Sequence, residues 1–315
     1  MNEIKITVLM PAYNAEKYIG AAIQSVLCQT YPEFELLIVN NCSTDDTVAI
    51  VNSFDDARVR LIEEEQQGIA YALNKGLQQA RGQYIARFDA DDICEPTRLK
   101  KQLDFLENNP DYILCGSDAE YISEDGEHLF YFSCVGHTHE EVMRQLKVDC
   151  PIIHSAVMYR KQPIVKAGGY PANAHNFEDY LLWIQIAEQG KYYNIPERLI
   201  KVRFNHASVT IDEKWRGARF RQLKKNIISQ GFVTPEEGRE LLSIIREQDN
   251  PKIKEGAYYA LCGKKFLLNN HHPAKARAHL LKAIRIHPSR LDNYMFYMLT
   301  YFPRPFVQWL HSKNS

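Results

Sequence analysis

The chain has 315 residues, 45% hydrophobic and 24% charged, with 38 Lys and Arg against 39 Asp and Glu for a formal net charge of −1. This length accommodates one large or two modest domains with a substantial core, and the balanced charge argues against a nucleic-acid protein, which would need a basic excess. Seven scattered cysteines without a CxxC pair read as reduced thiols in a cytosolic protein.

The opening "MNEIKITVLMPAY" leads straight into a β-rich run, so no leader is expected. "AEKYIGAAIQSVLCQ" spaces Tyr18, Ile19, Ala22, Ile23, Val26 and Leu27 at helical intervals. "FELLIVN" is a second strand, and "STDDTVAIVNSF" a helix with Ser43 or Thr44 as its predicted N-cap. "RVRLIEE" is a third strand, "GIAYALNKGLQQAR" a helix ended by Gly82, and "YIARFD" a fourth strand. Such alternation predicts an α/β fold, a mostly parallel sheet with helices on both faces. Beyond residue 112 the pattern is mixed: "YILCGS", "HLFYFSC" and "AVMYR" read as strands, and "NFEDYLLWIQIAEQG" as a helix closed by Gly190. After about residue 212 it is all-helical. Two domains are therefore expected, 1–212 and 213–315.

In open α/β sheets, ligands bind beyond the carboxyl ends of the strands. Three polar segments fall there: "PAYN" at 11–14, "NNCSTD" at 40–45, and "ARFDADDICEP" at 86–96. The last sets Asp89, Asp91 and Asp92 within four residues of one another. Asp92 could simply cap a helix starting near Pro96. Hard cations, however, take oxygen ligands, and Mg²⁺ uses one or two carboxylates together with substrate phosphates. A D-x-D spacing at a strand end fits such a cation, and on these residues alone both it and a solvated, helix-capping loop remain open. Asn14 reads as the cap of the first helix.

The blocks "ITVLMPAYNAEKYIGAAIQSVLCQTYPEFELLIVNNCSTDDT", "GIAYALNKGLQQARGQYIARFDADDICEPTRLKKQLDFL" and "HSAVMYRKQPIVKAGGYPANAHNFEDYLLWIQIAEQG" resemble the family-2 glycosyltransferases of GT-A fold, across roughly residues 4–210. The resemblance implies an inverting transferase moving sugar from a nucleotide-diphosphate donor, a UDP-sugar by preference, to an acceptor hydroxyl. It implies that Asp91, flanked by Asp89 and Asp92, holds Mn²⁺ or Mg²⁺. Pro11, Ala12, Tyr13, Asn40, Asn41, Gly68, Asn74, Asp89 and Arg203 are then expected on the donor side. The family commonly has two aspartates where Asn40 and Asn41 stand, which leaves the nucleotide base open, since an amide donates as well as accepts. Asp179 maps to the general base; Glu178 would orient the acceptor or a backbone group. An acidic first helical turn is also what the helix dipole alone favours. "VRFNHASVT" keeps Arg203 and Ser208 in register with a donor-lining segment, with Asn205 at a histidine position and His206 beside it. His154 reads either as an acceptor-side group or as a packed core histidine.

The run "KWRGARFRQLKKNIISQG" at 214–231 has six basic residues and no acidic one, with Trp215, Ala218, Leu223 and Ile227 as an apolar side. The end of the chain is dense in aromatics and broken by Pro303 and Pro305. These segments are expected to contact an anionic membrane, an acceptor, or a second copy in a homodimer. No apolar stretch reaches the ~20 residues of a bilayer span; the protein is expected in the cytoplasm or peripherally on the inner face of the plasma membrane. Ala276, Leu280, Ala283 and Pro288 have the spacing of one tetratricopeptide unit, which cannot bury its own face alone. The Q-x-x-R-W motif of processive family members is absent, so one sugar per encounter is expected. The expected function is transfer to a glycan or lipid-linked acceptor in surface polysaccharide or lipopolysaccharide synthesis. The alternatives are a degenerate nucleotide-sugar-binding protein and a sugar-phosphate nucleotidyltransferase, although "PAYNAEKY" lacks the glycine-rich basic loop the latter needs.

Overall fold

The computed structural model of the chain describes residues 4–205, 217–248 and 250–314. The first strands and helices alternate as β1 (Ile6–Ala12), α1 (Ile19–Leu27), β2 (Phe34–Asn40), α2 (Thr47–Asn52), β3 (Val59–Glu63), α3 (Ile69–Gln79) and β4 (Tyr84–Arg87). There follow β5 (Ile93–Cys94), α4 (Arg98–Asn108), β6 (Tyr112–Ile122), β7 (His128–Phe132), α5 (His139–Gln145), β8 (Met158–Arg160), α6 (Lys161–Lys166), α7 (Glu178–Gln185) and β9 (Lys191–Arg203). The remaining helices are α8 (Ala218–Gln230), α9 (Pro235–Gln248), α10 (Pro251–Leu268), α11 (Pro273–Ile286), α12 (Leu291–Leu299) and α13 (Arg304–Asn314).

The strands lie in the order β3-β2-β1-β4-β8-β6-β9-β5, with β7 paired to β6. β3, β2, β1 and β4 are mutually parallel, whereas β8 is antiparallel to both β4 and β6, and β5 to β9. The sheet is thus mixed, and its parallel half is the alternating first part of the chain. β2 is buried at every position, which is why it reads as a continuous apolar run rather than an alternation. Its one acid, Glu35, is 2% exposed; it accepts from Thr7 Oγ1 at 2.7 Å, the Arg81 backbone N–H at 2.6 Å and Arg60 Nη1 at 2.5 Å. Those donors satisfy a carboxylate whose burial would otherwise be costly.

Several local expectations change. α2 begins at Thr47, and the Asp45 carboxylate, not Ser43 or Thr44, takes the Thr47 N–H at 3.1 Å. α3 stops at Gln79, so Gly82 is no helix terminator; its N–H donates to Thr7 Oγ1 at 2.9 Å where the backbone passes against β1. α7 ends at Gln185, well before Gly190. β9, α5 and α6 have no counterpart in the sequence reading, because Pro196, Glu197 and Arg198 break the apolar pattern of β9 and the two helices are short.

The chain divides into two compact units: Met1–Ala119, Phe132–Val202 and Arg221–Leu242 in one, Glu120–Tyr131, Arg203–Phe220 and Ser243–Ser315 in the other. In the second, Ala276, Leu280 and Ala283 are fully buried and pack into a cluster with Tyr258, Cys262, Phe266, Leu129, Phe204 and Val307. The tetratricopeptide-like spacing therefore marks the buried face of α11 within its own unit. In the first, Lys224 of α8 lies over the rings of Phe177 and Tyr180 at 5.8 and 5.5 Å, and Ile227 is fully buried. This part of the basic run packs on protein; Trp215 lies outside the described residues. No helix among the described residues is long and apolar enough to cross a membrane.

Candidate active site

The carboxyl ends of β1 and β2 are laced together by their loops. Asn14, with φ of 46°, accepts from the Thr44 N–H at 2.8 Å and donates its own N–H to Ser43 Oγ at 3.0 Å. It is a turn residue joining two loops, not the cap of α1, whose N-cap position is Tyr18. Ala15 and Glu16 donate their N–H groups to Thr47 Oγ1 and Asp45 at 2.8 and 3.0 Å. Beside this lacing lies a cavity of about 290 Å³, lined by Pro11, Ala12, Tyr13, Asn41, Gln67, Gly68, Ile69, Ala72 and Asp89. Tyr13 is 52% exposed, an aromatic face available at the rim. Asn41 fixes one wall: its Nδ2 donates to the carbonyls of Glu64 and Gln66 at 3.0 and 2.9 Å, and its Oδ1 takes the Gly68 N–H at 2.7 Å. Gly68 turns into α3 with φ of 140°, a conformation side-chain-bearing residues rarely adopt.

At the end of β4, Asp89, Asp91 and Asp92 each bring a carboxylate oxygen within 4.8 Å of the others. Three hard oxygen donors in one place fit Mg²⁺ or Mn²⁺. Asp92 is 1% exposed and accepts from Ser155 Oγ; Ser155 Oγ in turn takes the Asp89 N–H at 3.2 Å. Asp92 is therefore no helix cap: α4 starts at Arg98 with Thr97 as its N-cap residue. Nor is a cation from outside the only positive charge here. Arg87, the last residue of β4, is 2% exposed and forms an ion pair with Asp89. Burial alone would pull its pKa down, but the Asp89 carboxylate outweighs this and holds the pKa above the ordinary value. Its Nε has no hydrogen-bond partner among the described residues.

A second acidic group borders the first. His154, Glu178 and Asp179 also place their ligand atoms within 4.8 Å of one another. Both acids stand in the first turn of α7. Glu178 is 6% exposed, its Oε2 has no hydrogen-bond partner among the described residues, and burial, then the Asp179 charge, pushes its pKa up to about 8. His154 Nε2 lies 3.1 Å from the Tyr170 hydroxyl, which lies 3.2 Å from the Tyr159 hydroxyl. Its Nδ1 faces Asp179 Oδ2 at 3.9 Å. Burial and the nearby Arg87 hold the His154 pKa well below 6.5, so the ring is neutral at physiological pH. Two acidic groups with opposite needs thus share one crevice: a set suited to a cation, and a buried Glu178 whose proton is held tightly beside Asp179.

A protein-family model described as "Glycosyl transferase family 2" matches residues 7–165, half of the chain. The chain belongs to glycosyltransferase family 2. An uncharacterized glycosyltransferase of Rickettsia felis is 32% identical over 211 residues, 67% of this chain and 35% of that protein. The chain thus spans about a third of that relative's length. The putative teichuronic acid biosynthesis glycosyltransferase TuaG of Bacillus subtilis is 29% identical, over 68% of this chain and 84% of that one. Among solved structures, S. aureus TarS 1–349 in complex with UDP superposes with a TM-score of 0.55 at 18% identity, over 99% of this chain and 92% of that chain. The mannosyltransferase PcManGT of Pyrobaculum calidifontis, in complex with GDP-Man and Mn²⁺, gives 0.52 at 18% identity, over 97% and 86%. At these identities the structures establish the fold, which is the GT-A-like α/β arrangement followed by a helical region.

Of the residues that family membership singled out, Pro11, Ala12, Tyr13, Asn41, Gly68 and Asp89 come together around the cavity. Three are not among the residues that line it. Asn40 is 5% exposed and donates to Glu63 Oε2 at 2.6 Å. Asn74 clamps the Tyr170 backbone, donating to its carbonyl at 2.8 Å and accepting its N–H at 2.7 Å. Arg203 belongs to the second unit, where it donates to the carbonyls of Ser123 and Glu124 at 3.2 and 2.9 Å. His206 and Ser208 lie outside the described residues. Sequence reasoning missed Arg87, Ser155 and Tyr170. Arg87 alone left a signal: an arginine closing a strand that is otherwise apolar.

Proposed function

We propose that this family-2 protein is an inverting glycosyltransferase that moves one sugar from a nucleoside-diphosphate donor to a hydroxyl of a glycan or lipid-linked acceptor, in the synthesis of a cell-surface polysaccharide. The observation that carries the reading is the convergence of two acidic groups on Arg87, next to a cavity walled by Asn41, Gly68 and Tyr13. The cavity suits a nucleoside, with Tyr13 stacking on the base and Asn41 keeping the wall rigid; a UDP-sugar is the favoured donor. Asp89, Asp91 and Asp92 would hold Mg²⁺ or Mn²⁺, which when bound neutralises the charge that gathers on a diphosphate leaving group. Asp179 takes the proton of the acceptor hydroxyl as that oxygen attacks the anomeric carbon. Glu178, neutral beside it, adds no competing charge and can donate a hydrogen bond to the acceptor. The enzyme would work at the cytoplasmic face of the membrane.

Two variants test this. Asp179→Asn should keep donor binding and lose at least ~100-fold in turnover, the low end for loss of a general base. Asp91→Ala should abolish cation-dependent donor binding with the fold intact. Full transfer or donor hydrolysis in excess chelator would refute the cation's part, and unchanged turnover of the asparagine variant would move the base away from Asp179. A protein that only binds nucleotide sugars would show no turnover under any condition.

A further inference from the structure

The helical end of the second unit turns an apolar stripe outward. In α12, Leu291, Tyr294, Met295 and Met298 stand at helical intervals of three and four and are 78, 40, 54 and 59% exposed. A stripe with this spacing normally faces a core. Here the buried side of α12 is a different one, with Asn293 at 3% and Phe296, Tyr297 and Leu299 packed against the unit's core. Further along the chain Tyr301, Phe302, Phe306 and Trp309 are also 57, 48, 40 and 51% exposed. Phe302, Phe306 and Trp309 form a continuous row of stacked rings, at centroid distances of 5.1 and 6.1 Å. Isolated exposed apolar residues mean little, but a contiguous patch of this kind marks an interaction surface.

Charge identifies what covers it. Residues 256–309 contain eight Lys and Arg and a single acid, Asp292; Lys264 and Arg290 pair with it at 2.8 and 3.2 Å, Lys275 pairs with Glu127 at 2.7 Å, and Lys265 and Lys282 lie over the Phe130 and Tyr259 rings. Cations are set into the patch itself: Arg277 lies over the Tyr301 ring at 4.6 Å, Arg290 precedes Leu291, and Arg304 stands between Phe302 and Phe306. We infer that this face docks onto an anionic phospholipid bilayer, with the Tyr, Trp, Phe and Met side chains in the headgroup boundary and the arginines on lipid phosphates. A second copy of the chain is the poorer occupant, because it would bring the set-in arginines of two like faces, Arg277, Arg290 and Arg304 against a single Asp292, together, whereas anionic lipid complements them. The inference rests on the composition and exposure of this face, not on the transferase reading, and its test involves no turnover.

The experiment is co-sedimentation of the full chain with vesicles of phosphatidylcholine alone or mixed with phosphatidylglycerol, at low and high salt, alongside its mass in solution. The chain should pellet with the mixed vesicles at low salt, and release should follow added salt as screening shortens from ~10 Å at 0.1 M to ~3 Å at 1 M. Arg277→Gln with Arg304→Gln should weaken partitioning about 25-fold, at roughly fivefold per basic residue near the surface. Met295→Glu with Met298→Glu, at positions already more than half exposed, should abolish it while leaving the melting temperature and solution mass unchanged. Failure to pellet with mixed vesicles at low salt overturns the inference. So does equal binding to neutral vesicles, or a dimer mass that the glutamate pair halves without changing vesicle binding.

Discussion

Replacing Glu178 by Gln should stabilise the protein, and the gain should depend on pH. The folded chain holds this carboxyl near a pKa of about 8, against 4.5 for a free glutamate, because it is buried and stands beside Asp179. An acid whose pKa rises on folding binds its proton more tightly in the native state, so stability is greatest below the unfolded pKa and is lost as pH climbs toward the folded one. At pH 7 the unfolded chain has already gained from ionising while the native chain has not. The difference spans two to three pH decades, and at about 1.4 kcal/mol per decade it costs the native state about 3 kcal/mol. Glutamine has nearly the same shape and does not titrate, so it escapes this cost. With a urea dependence of roughly 3 kcal/mol per molar for a chain of this size, the midpoint should rise by about 1 M at pH 7. Urea midpoints of the parent and Glu178→Gln, measured at pH values from 4.5 to 8.5, give the answer. The two curves should meet at the acidic end and diverge steadily toward the alkaline end. Curves that run parallel, or a variant less stable at pH 8, would refute the reasoning by showing that Glu178 ionises freely in the native state.

Gly82→Ala should cost about 3 kcal/mol, the upper range for overpacking, because the new methyl would stand 2.5 Å from the Thr7 backbone nitrogen and 2.6 Å from the Ile6 carbonyl carbon; a thermal melt reads the loss, and an unchanged melting temperature would show that the β1 edge can yield. His154→Phe should lower turnover about fivefold with the donor's KM unchanged, on the order of 1 kcal/mol for the lost hydrogen bond between Nε2 and the Tyr170 hydroxyl; steady-state kinetics separates this from a packing defect, which would raise KM as well. Asn41→Asp replaces the group that donates to the Glu64 and Gln66 carbonyls with one that repels them, so nucleotide binding by calorimetry should weaken about tenfold, on the order of 1–3 kcal/mol for an unsatisfied buried acceptor; an unaltered affinity would place nucleotide recognition away from this wall.

In the parallel half, β1, β2 and β4 were legible because they are buried on both faces and read as apolar runs, and α1 and α3 because each buries one face at helical intervals. β9 was not, because a strand carrying Pro196, Glu197 and Arg198 at exposed positions has no period to detect. The carboxylates were legible because charge at the end of a buried strand is costly and conspicuous. The partners that shape their chemistry were not. Ser155 and Tyr170 are far from Asp92 and His154's other neighbours in sequence, or too ordinary in type, and only the sheet brings β4 and β8 side by side. Asn40 and Asn74 show what a motif does not carry: it places an amide on the chain, while its hydrogen bonds to Glu63 and to the Tyr170 backbone are read only from the fold.

Arg87 has a consequence for the life of the protein between turnovers. Three carboxylates gathered in one place repel one another unless something offsets their charge, and a domain that relied on a metal for this would unfold under chelation, as small metal-folded domains do. Here part of the counter-charge is carried by the strand itself. Chelator should therefore leave the melting temperature of the nucleotide-free chain where it was, and added cation should raise it only with nucleotide present, through mass action. On the proposed reading, a shortage of divalent ions would then cost the chain its turnover but not its fold.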